Sequence, residues 1–148
     1  MRNLHSDEVR PPIHLLATES DLIADLALSA EHRHPVVAAM LLEEIERAEL
    51  HQPDDMPDGS IRLDSYVTFV DERSRKVRNV QLVLPIDANI GEARISILTP
   101  IGAALFGLSA GDCISWPDLD GNERLIRVMH VEQRPYEKAG RNGDARRG

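Results

Sequence analysis

Two histidines separated by one residue are the clearest candidates for chemistry in the first half of the sequence. His32 and His34 flank Arg33 and follow Glu31, so this segment offers two imidazoles and one carboxylate. Both groups are ligands that Zn²⁺ accepts. Histidines two positions apart in a polar connection between helices are more often solvent-facing turn residues. We therefore predict no bound metal here.

The pattern G-x-S-x-G places Ser109 between Gly107 and Gly111. In hydrolases this pattern leads from a strand into a helix and exposes the serine as a nucleophile. Here a helical pattern precedes the serine and a strand pattern follows it, which is the reverse order. No G-K-[ST] sequence follows these glycines, so they do not form a phosphate-binding loop either. We predict turns at both glycines, no catalytic residue and no cofactor.

Acidic residues are concentrated in the first part of the chain. Residues 18–59 hold eleven acidic residues and two arginines, a net charge of −9, whereas the whole chain carries −8. Such a surface repels phosphates, which argues against direct nucleic-acid binding by this part. The single cysteine, Cys113, and the absence of a long apolar run predict a cytoplasmic protein with no membrane partner.

Two amphipathic helices are predicted to carry these acids. Thr18 begins an N-cap pattern, and apolar residues recur at helical spacing over 19–32. Pro35 stands at a favoured first helical position, which predicts a second helix over 35–51. Because the connection is short, we expect an antiparallel hairpin over 18–51, a short coiled coil that forms an autonomous arm.

The remaining segments predict an α+β protein. Residues 1–17 and the Gly/Arg-rich residues 134–148 are expected to be flexible, and residues 52–60 are expected to be a linker. Residues 61–133 alternate as strands do. The expected order is strands over 66–70, 77–84 and 94–98, a short helix over 100–106, and strands over 112–116 and 123–133.

The residues that fill this order are more specific than the order itself. Residues 95–112 are I-S-I-L-T-P-I-G-A-A-L-F-G-L-S-A-G-D. This segment resembles the C-terminal domain of the Gre transcription factors, whose I-S, S-P, G-x-A-L and G-D elements occur in the same order, with T-P here in the place of S-P. The resemblance covers about residues 60–133 and implies an FKBP-like domain, in which a twisted sheet wraps a short helix. Fold alone does not imply prolyl isomerase activity.

The resemblance also implies a function. Gre factors bind RNA polymerase near its secondary channel, and two acidic residues at the tip of their long coiled coil hold Mg²⁺ for transcript cleavage. The corresponding tip here is Glu31, His32, Arg33 and His34, on shorter helices. The chain is more similar to the Rnk branch, which lacks the acidic pair. This similarity implies polymerase binding in competition with Gre-type factors, without stimulation of cleavage.

The S-P turn of Gre factors lies against the polymerase, and the matching residues here are Leu98, Thr99, Pro100 and Ile101. We predict that they form the polymerase-binding site, with the hairpin tip as the next candidate. The alternative, from another functional class, is an adaptor that regulates a metabolic enzyme. Nucleoside diphosphate kinase is the example that the Rnk relatives suggest.

Overall fold

The computed structural model describes residues 11–117 and 120–133 and shows an α+β fold, as predicted. The predictions for residues 1–10 and 134–148 lie outside the described residues. The helices and strands, in chain order, are β1 (His14–Leu16), α1 (Ala17–Ser29), α2 (Pro35–Arg47), β2 (Glu49–His51), β3 (Tyr66–Asp71), β4 (Lys76–Val83), β5 (Arg94–Ser96), α3 (Pro100–Leu105), β6 (Cys113–Pro117) and β7 (Glu123–Glu132). None of the helices in the described ranges is long and apolar enough to cross a membrane.

The larger sheet has five strands in the order β5-β4-β3-β7-β6. β3 and β4 form the predicted hairpin, β7 pairs antiparallel with both β3 and β6, and β5 pairs parallel with β4. Alternate residues of β3 are buried, because successive side chains of a strand point to opposite faces. The short helix α3 contacts both α2 and β6 and therefore lies between the helical hairpin and the sheet.

The segment before α1 differs from the prediction of a flexible N-terminus. Residues 14–16 form β1, which pairs parallel with β2, and Ile13, Leu15 and Leu16 are buried. The amide of His14 donates a hydrogen bond to the carbonyl of Gly107 (3.1 Å). This segment is therefore held in place by β2 and Gly107, which lie far along the chain.

The first helix differs from the prediction at both ends, since it ends at Ser29 rather than at residue 32, and the second differs at its C-terminal end. α1 begins at Ala17 and Leu16 occupies its N-cap position, so the predicted cap at Thr18 is wrong. α2 begins at Pro35 as predicted but ends at Arg47 rather than at residue 51. The reason is that Ala48 has an extended backbone and the following residues pair as β2.

The hairpin does not form a separate arm, because it shares one apolar core with the sheet. Buried side chains of α1 and α2 belong to the same cluster as those of α3 and of the central strands. The helices contribute Ile23, Ala27, Val37, Ala38 and Leu41, and the sheet and α3 contribute among others Val67, Phe69, Leu82, Ala104, Leu105 and Ile126. The expectation of an autonomous arm is therefore wrong.

A polar contact also joins the hairpin to the sheet region. The carboxylate of Glu19, in the first turn of α1, accepts a hydrogen bond from the amide of Leu63 (3.2 Å). Burial raises the pKa of Glu19 above its usual value, and the Leu63 amide and the nearby Arg62 offset only part of that increase. Folding therefore favours the protonated form of this side chain relative to the unfolded chain.

We predict that the hairpin and the sheet unfold together. Leu41 is fully buried, so Leu41→Ala should lower the free energy of unfolding by about 2–5 kcal/mol. In urea unfolding, the far-UV ellipticity of the helices and the fluorescence of Trp116 on β6 should shift to the same lower midpoint. The exposed Leu28 of α1 supplies the control, since Leu28→Ala should change stability by less than ~0.5 kcal/mol. Loss of helix signal at an unchanged Trp116 midpoint would contradict a shared core.

We also predict that Glu19 makes stability depend on pH. Because its pKa is raised in the folded state, its stabilising contribution is full below the ordinary value of 4.5 and is lost as pH rises through the raised pKa. Glu19→Gln keeps an oxygen acceptor for Leu63 but carries no charge. The variant should therefore gain stability relative to the wild type as pH rises, measured by urea unfolding between pH 4 and neutrality. Asp21→Asn, at an exposed position of α1, should show no such gain.

Candidate functional site

The turn of residues 98–101 joins β5 to α3 and is fixed by its own hydrogen bonds. The hydroxyl of Thr99 accepts a hydrogen bond from the amide of Gly102 (3.1 Å) and donates one to the carbonyl of Ser96 (2.7 Å). Pro100 occupies the first helical position, where its missing amide proton costs nothing and its fixed φ suits the helix. The predicted cap and proline are thus both present.

The turn of residues 98–101 is partly exposed and is held in place by packing against the core. Leu98, Thr99, Pro100 and Ile101 are all half-buried, and the amide of Leu98 donates to the hydroxyl of Ser96 (2.9 Å). Leu98 and Ile101 pack against the apolar core. Leu98 and Ile101 therefore have one side against the core, and all four residues keep part of their surface accessible to a partner.

Gly102 allows the backbone of α3 to lie close against the Ser96 carbonyl at the start of the turn. A Cβ atom at this position would lie 2.2 Å from the carbonyl oxygen of Ser96 and 3.0 Å from the Thr99 hydroxyl. The first of these contacts is with backbone and cannot be relieved by a side-chain rotation. The glycine in the T-P-I-G segment is thus needed for the turn itself.

The turn forms one wall of an open groove with a volume of about 640 Å³. Pro100 and Ile101 line that wall, while the largely buried side chains of Phe69, Trp116 and Ile126 border the groove from β3, β6 and β7. The other residues that line the groove are polar or charged: Asp71, Ser74, Lys76, Arg78, Asp120 and Arg124. An apolar surface surrounded by charges of both signs suits a protein segment better than it suits a polyphosphate.

Trp116 borders the groove and carries a buried hydrogen-bond donor. The side chain is only 7% exposed, and within the described ranges no acceptor lies within hydrogen-bonding distance of its indole nitrogen. A buried donor without an acceptor costs free energy. Because the nitrogen itself is buried, a partner in the groove would reach it only after a local rearrangement.

Asp71 holds the charged side of the groove in place. Its carboxylate accepts hydrogen bonds from Arg124 (2.8 Å) and from the amides of Arg73 (2.9 Å) and Ser74 (3.3 Å). Burial alone would raise the pKa of Asp71, but these bonds and the charge of Arg124 hold it below its usual value. The guanidinium of Arg78 lies 5.9 Å from the ring centre of Phe69, which places a cation over an aromatic face.

The hairpin tip is a different kind of surface. Glu31, His32, Arg33 and His34 are all exposed in the connection between α1 and α2. Backbone hydrogen bonds from Arg33 and His34 to the carbonyl of Ala30 close this connection. The tip residues thus face solvent as a polar turn does. The described residues that do bring metal-binding atoms together are His14, Glu49 and His51, which the sequence analysis missed.

Ser109 lies in a turn, as expected from its two glycines. Its amide donates to the carboxylate of Asp112 (2.8 Å), and its hydroxyl lies 3.5 Å from that of Ser60. Gly107 and Gly111 on either side have positive φ angles of 88° and 95°. These contacts are those of a structural turn.

The comparisons with known proteins agree with the geometry of the turn and sheet. The family model for the C-terminal domain of the transcription elongation factors GreA and GreB matches residues 56–133. This chain belongs to the GreA/GreB family. The T-P-I-G-A-A-L segment that suggested the Gre family lies inside the matched region, so that prediction is confirmed.

Relatives of this Gre-family chain include both regulators and elongation factors. The regulator of nucleoside diphosphate kinase from Escherichia coli K12 is 30% identical over 131 residues, which cover 88% of this chain and 96% of that protein. GreA from Acidiphilium cryptum is 30% identical over 139 residues, covering 88% of this chain and 87% of that protein. The solved GreA/GreB structure from Nitrosomonas europaea has a TM-score of 0.66 at 31% identity, and the match covers 83% of this chain and 99% of that chain. The coiled-coil and FKBP-like descriptions stay predictions.

We predict that the turn of this Gre-family chain depends on Gly102. Gly102→Ala should lower the free energy of unfolding by roughly 1–3 kcal/mol, because the new methyl group must displace backbone. Gly91→Ala is the control, since a Cβ at that position meets only the flexible side chain of Asn89, at 3.4 Å. The control should match the wild type within about 0.5 kcal/mol in urea unfolding. Equal stability of the two alanine variants would show that the turn is not tightly closed.

Proposed function

We propose that this protein is a non-catalytic transcription regulator that binds RNA polymerase near its secondary channel. The observation that carries the proposal is the rigid Thr99–Pro100 turn on the wall of the apolar groove, at the position that matches the S-P turn of Gre factors. Membership of the GreA/GreB family supports transcription as the process. The groove and the turn would form the surface that contacts the polymerase.

The geometry suits docking onto a helical partner. Little ordering entropy is lost at a turn that Thr99, Pro100 and Gly102 already fix, so more of the contact energy remains as affinity. Apolar side chains of the partner would contact the half-buried Pro100 and Ile101 on the wall of the groove. Leu98 stands where related interfaces often carry a polar or acidic residue. We therefore expect an apolar contact at this position.

The residues of the hairpin tip are an argument that the protein does not stimulate transcript cleavage. Mg²⁺ is held by oxygen ligands, usually by one or two carboxylates together with water. The connection between α1 and α2 offers the single carboxylate of Glu31, with the cationic Arg33 two residues away. α1 and α2 have 13 residues each, a length of about 20 Å at 1.5 Å per residue. Such short helices limit how far the tip can reach into a channel.

We predict that replacing the turn weakens polymerase binding more than it weakens the fold. The double variant Thr99→Ala, Pro100→Ala should lose about tenfold or more in affinity for purified core RNA polymerase, measured by biolayer interferometry. Its stability should fall by only about 1 kcal/mol, because it loses one helix cap. Ile86→Ala, at an exposed apolar position that does not line the groove, is the matched control and should bind normally. Unchanged affinity of the folded double variant would place the interface elsewhere.

Stalled elongation complexes provide a second readout of the same prediction. The wild-type protein should reduce the transcript shortening that an added GreA factor stimulates, and the double variant should reduce it less. The protein alone should leave the intrinsic rate of shortening unchanged. Magnesium-dependent shortening above that rate would overturn the non-catalytic assignment.

A second candidate function rests on the match to the regulator of nucleoside diphosphate kinase, which extends over 96% of that relative. In this case the protein would act as an adaptor on a metabolic enzyme. Phosphate transfer by purified nucleoside diphosphate kinase, measured with and without this protein and in the absence of polymerase, separates the candidates. A changed kinase rate together with no polymerase affinity would favour the adaptor.

A further inference from the structure

Two histidines and a glutamate converge at the base of the helical hairpin, where β1 pairs with β2. His14 Nδ1 lies 3.0 Å from His51 Nε2 and 3.6 Å from Glu49 Oε1. One potential ligand atom of each residue lies within 4.8 Å of the other two. In the described ranges this is the one group of three such residues.

The backbone holds this cluster in register. His14 pairs with Glu49 across the two parallel strands, and Glu49 and His51 are two residues apart, so their side chains leave the same face of β2. The amide of Glu49 donates to the carbonyl of Ile13 (2.9 Å), and the amide of His14 donates to Gly107. The three side chains are therefore brought together by fixed strands and not by a mobile loop.

Burial gives the cluster a closed side and an open side. The side chains of His14 and His51 are 23% and 12% exposed, whereas that of Glu49 is 66% exposed. An ion would enter past the carboxylate and reach the two imidazoles behind it. The site thus has an entry path and a partly desolvated interior, both of which a metal site requires.

Asp55 orients one of the two imidazoles. Its Oδ1 lies 3.6 Å from His51 Nδ1 and accepts a hydrogen bond from the amide of Gln52 (2.9 Å), which fixes the carboxylate. A carboxylate at Nδ1 favours a proton on that nitrogen and leaves Nε2 with a lone pair. His51 Nε2 faces His14 Nδ1 at 3.0 Å, a distance at which one nitrogen donates a hydrogen bond to the other. A cation can take the place of the proton in that hydrogen bond.

We propose that His14 Nδ1, His51 Nε2 and a carboxylate oxygen of Glu49 bind Zn²⁺. Two nitrogen ligands of a tetrahedral zinc ion lie about 3.3 Å apart, given Zn–N distances of about 2.0–2.1 Å, so a shift of a few tenths of an ångström completes the site. Two histidines and one glutamate are an established zinc ligand set, with water at the fourth position. Mg²⁺ and Ca²⁺ prefer oxygen ligands throughout and would bind poorly.

The site has a structural consequence that is independent of the proposed function. His14 lies just before α1, while Glu49 and His51 lie just after α2. A bound ion would therefore tie the two ends of the hairpin together. Because the unfolded chain does not hold these three residues in place, zinc would stabilise the folded state by mass action.

Isothermal titration of the metal-free full chain with zinc chloride tests the proposal. We expect one saturable site and a rise in the melting temperature, whereas magnesium chloride should produce neither. His51→Ala and Glu49→Gln should remove or strongly weaken binding, and Asp55→Asn should weaken it by about 10–100-fold, as is usual for a residue that orients a ligand. Glu49 is mostly exposed, so its replacement should leave the metal-free fold intact, as circular dichroism can verify.

The matched control is the double variant His32→Ala, His34→Ala, which removes two exposed histidines that belong to no such cluster. It should bind zinc as the wild type does. Retained binding in the folded Glu49→Gln and His51→Ala variants would overturn the assignment. Loss of binding in the control, or the absence of any saturable zinc site, would do the same.

Discussion

The structure depends on the way in which β1 inserts between the helical hairpin and the sheet region. This three-residue strand pairs with β2 on one side and donates a backbone hydrogen bond to Gly107 on the other. Gly107 has a φ of 88°, and a Cβ atom there would lie only 2.8 Å from Ile13. A glycine is needed at this position both for its backbone conformation and for the close approach of β1. Through this contact, the two parts of the sequence form one packed unit.

The candidate binding surface is rigid because it is part of that packed unit. α3 contacts α2 on one side and β6 on the other, so the hairpin supports the helix that begins at Pro100. The groove beside Pro100 is bordered by buried side chains of three neighbouring strands of the sheet. A partner that binds there would meet a surface whose shape is already fixed by the core, and the acidic helices would lie on the supporting side of α3.

Features with a local cause were predictable from the sequence. Thr99 and Pro100 specify the start of α3, Pro35 specifies the start of α2, and alternating residues specify β3. The strand pairing of residues 14–16 was not predictable, because three residues carry no period and their partners lie some 35 positions later. The predicted end of α2 was wrong because residues 48–51 still fit a helical pattern, while the strand that they pair with lies far away in the sequence. The groove and the His14–Glu49–His51 cluster required the order of the strands, which no local signal provides.

The parallel pairing of β1 with β2 extends the packed unit of this protein beyond the region that the family model matches. The region that matches the GreA/GreB family model begins at residue 56, after both of these short strands. A fragment cut at that boundary would lack Ile13 and Leu15, which fill the space beside Gly107, and would leave the Gly107 carbonyl without its donor. The segment that the C-terminal family model covers and the segment that packs as one body are therefore different stretches of chain.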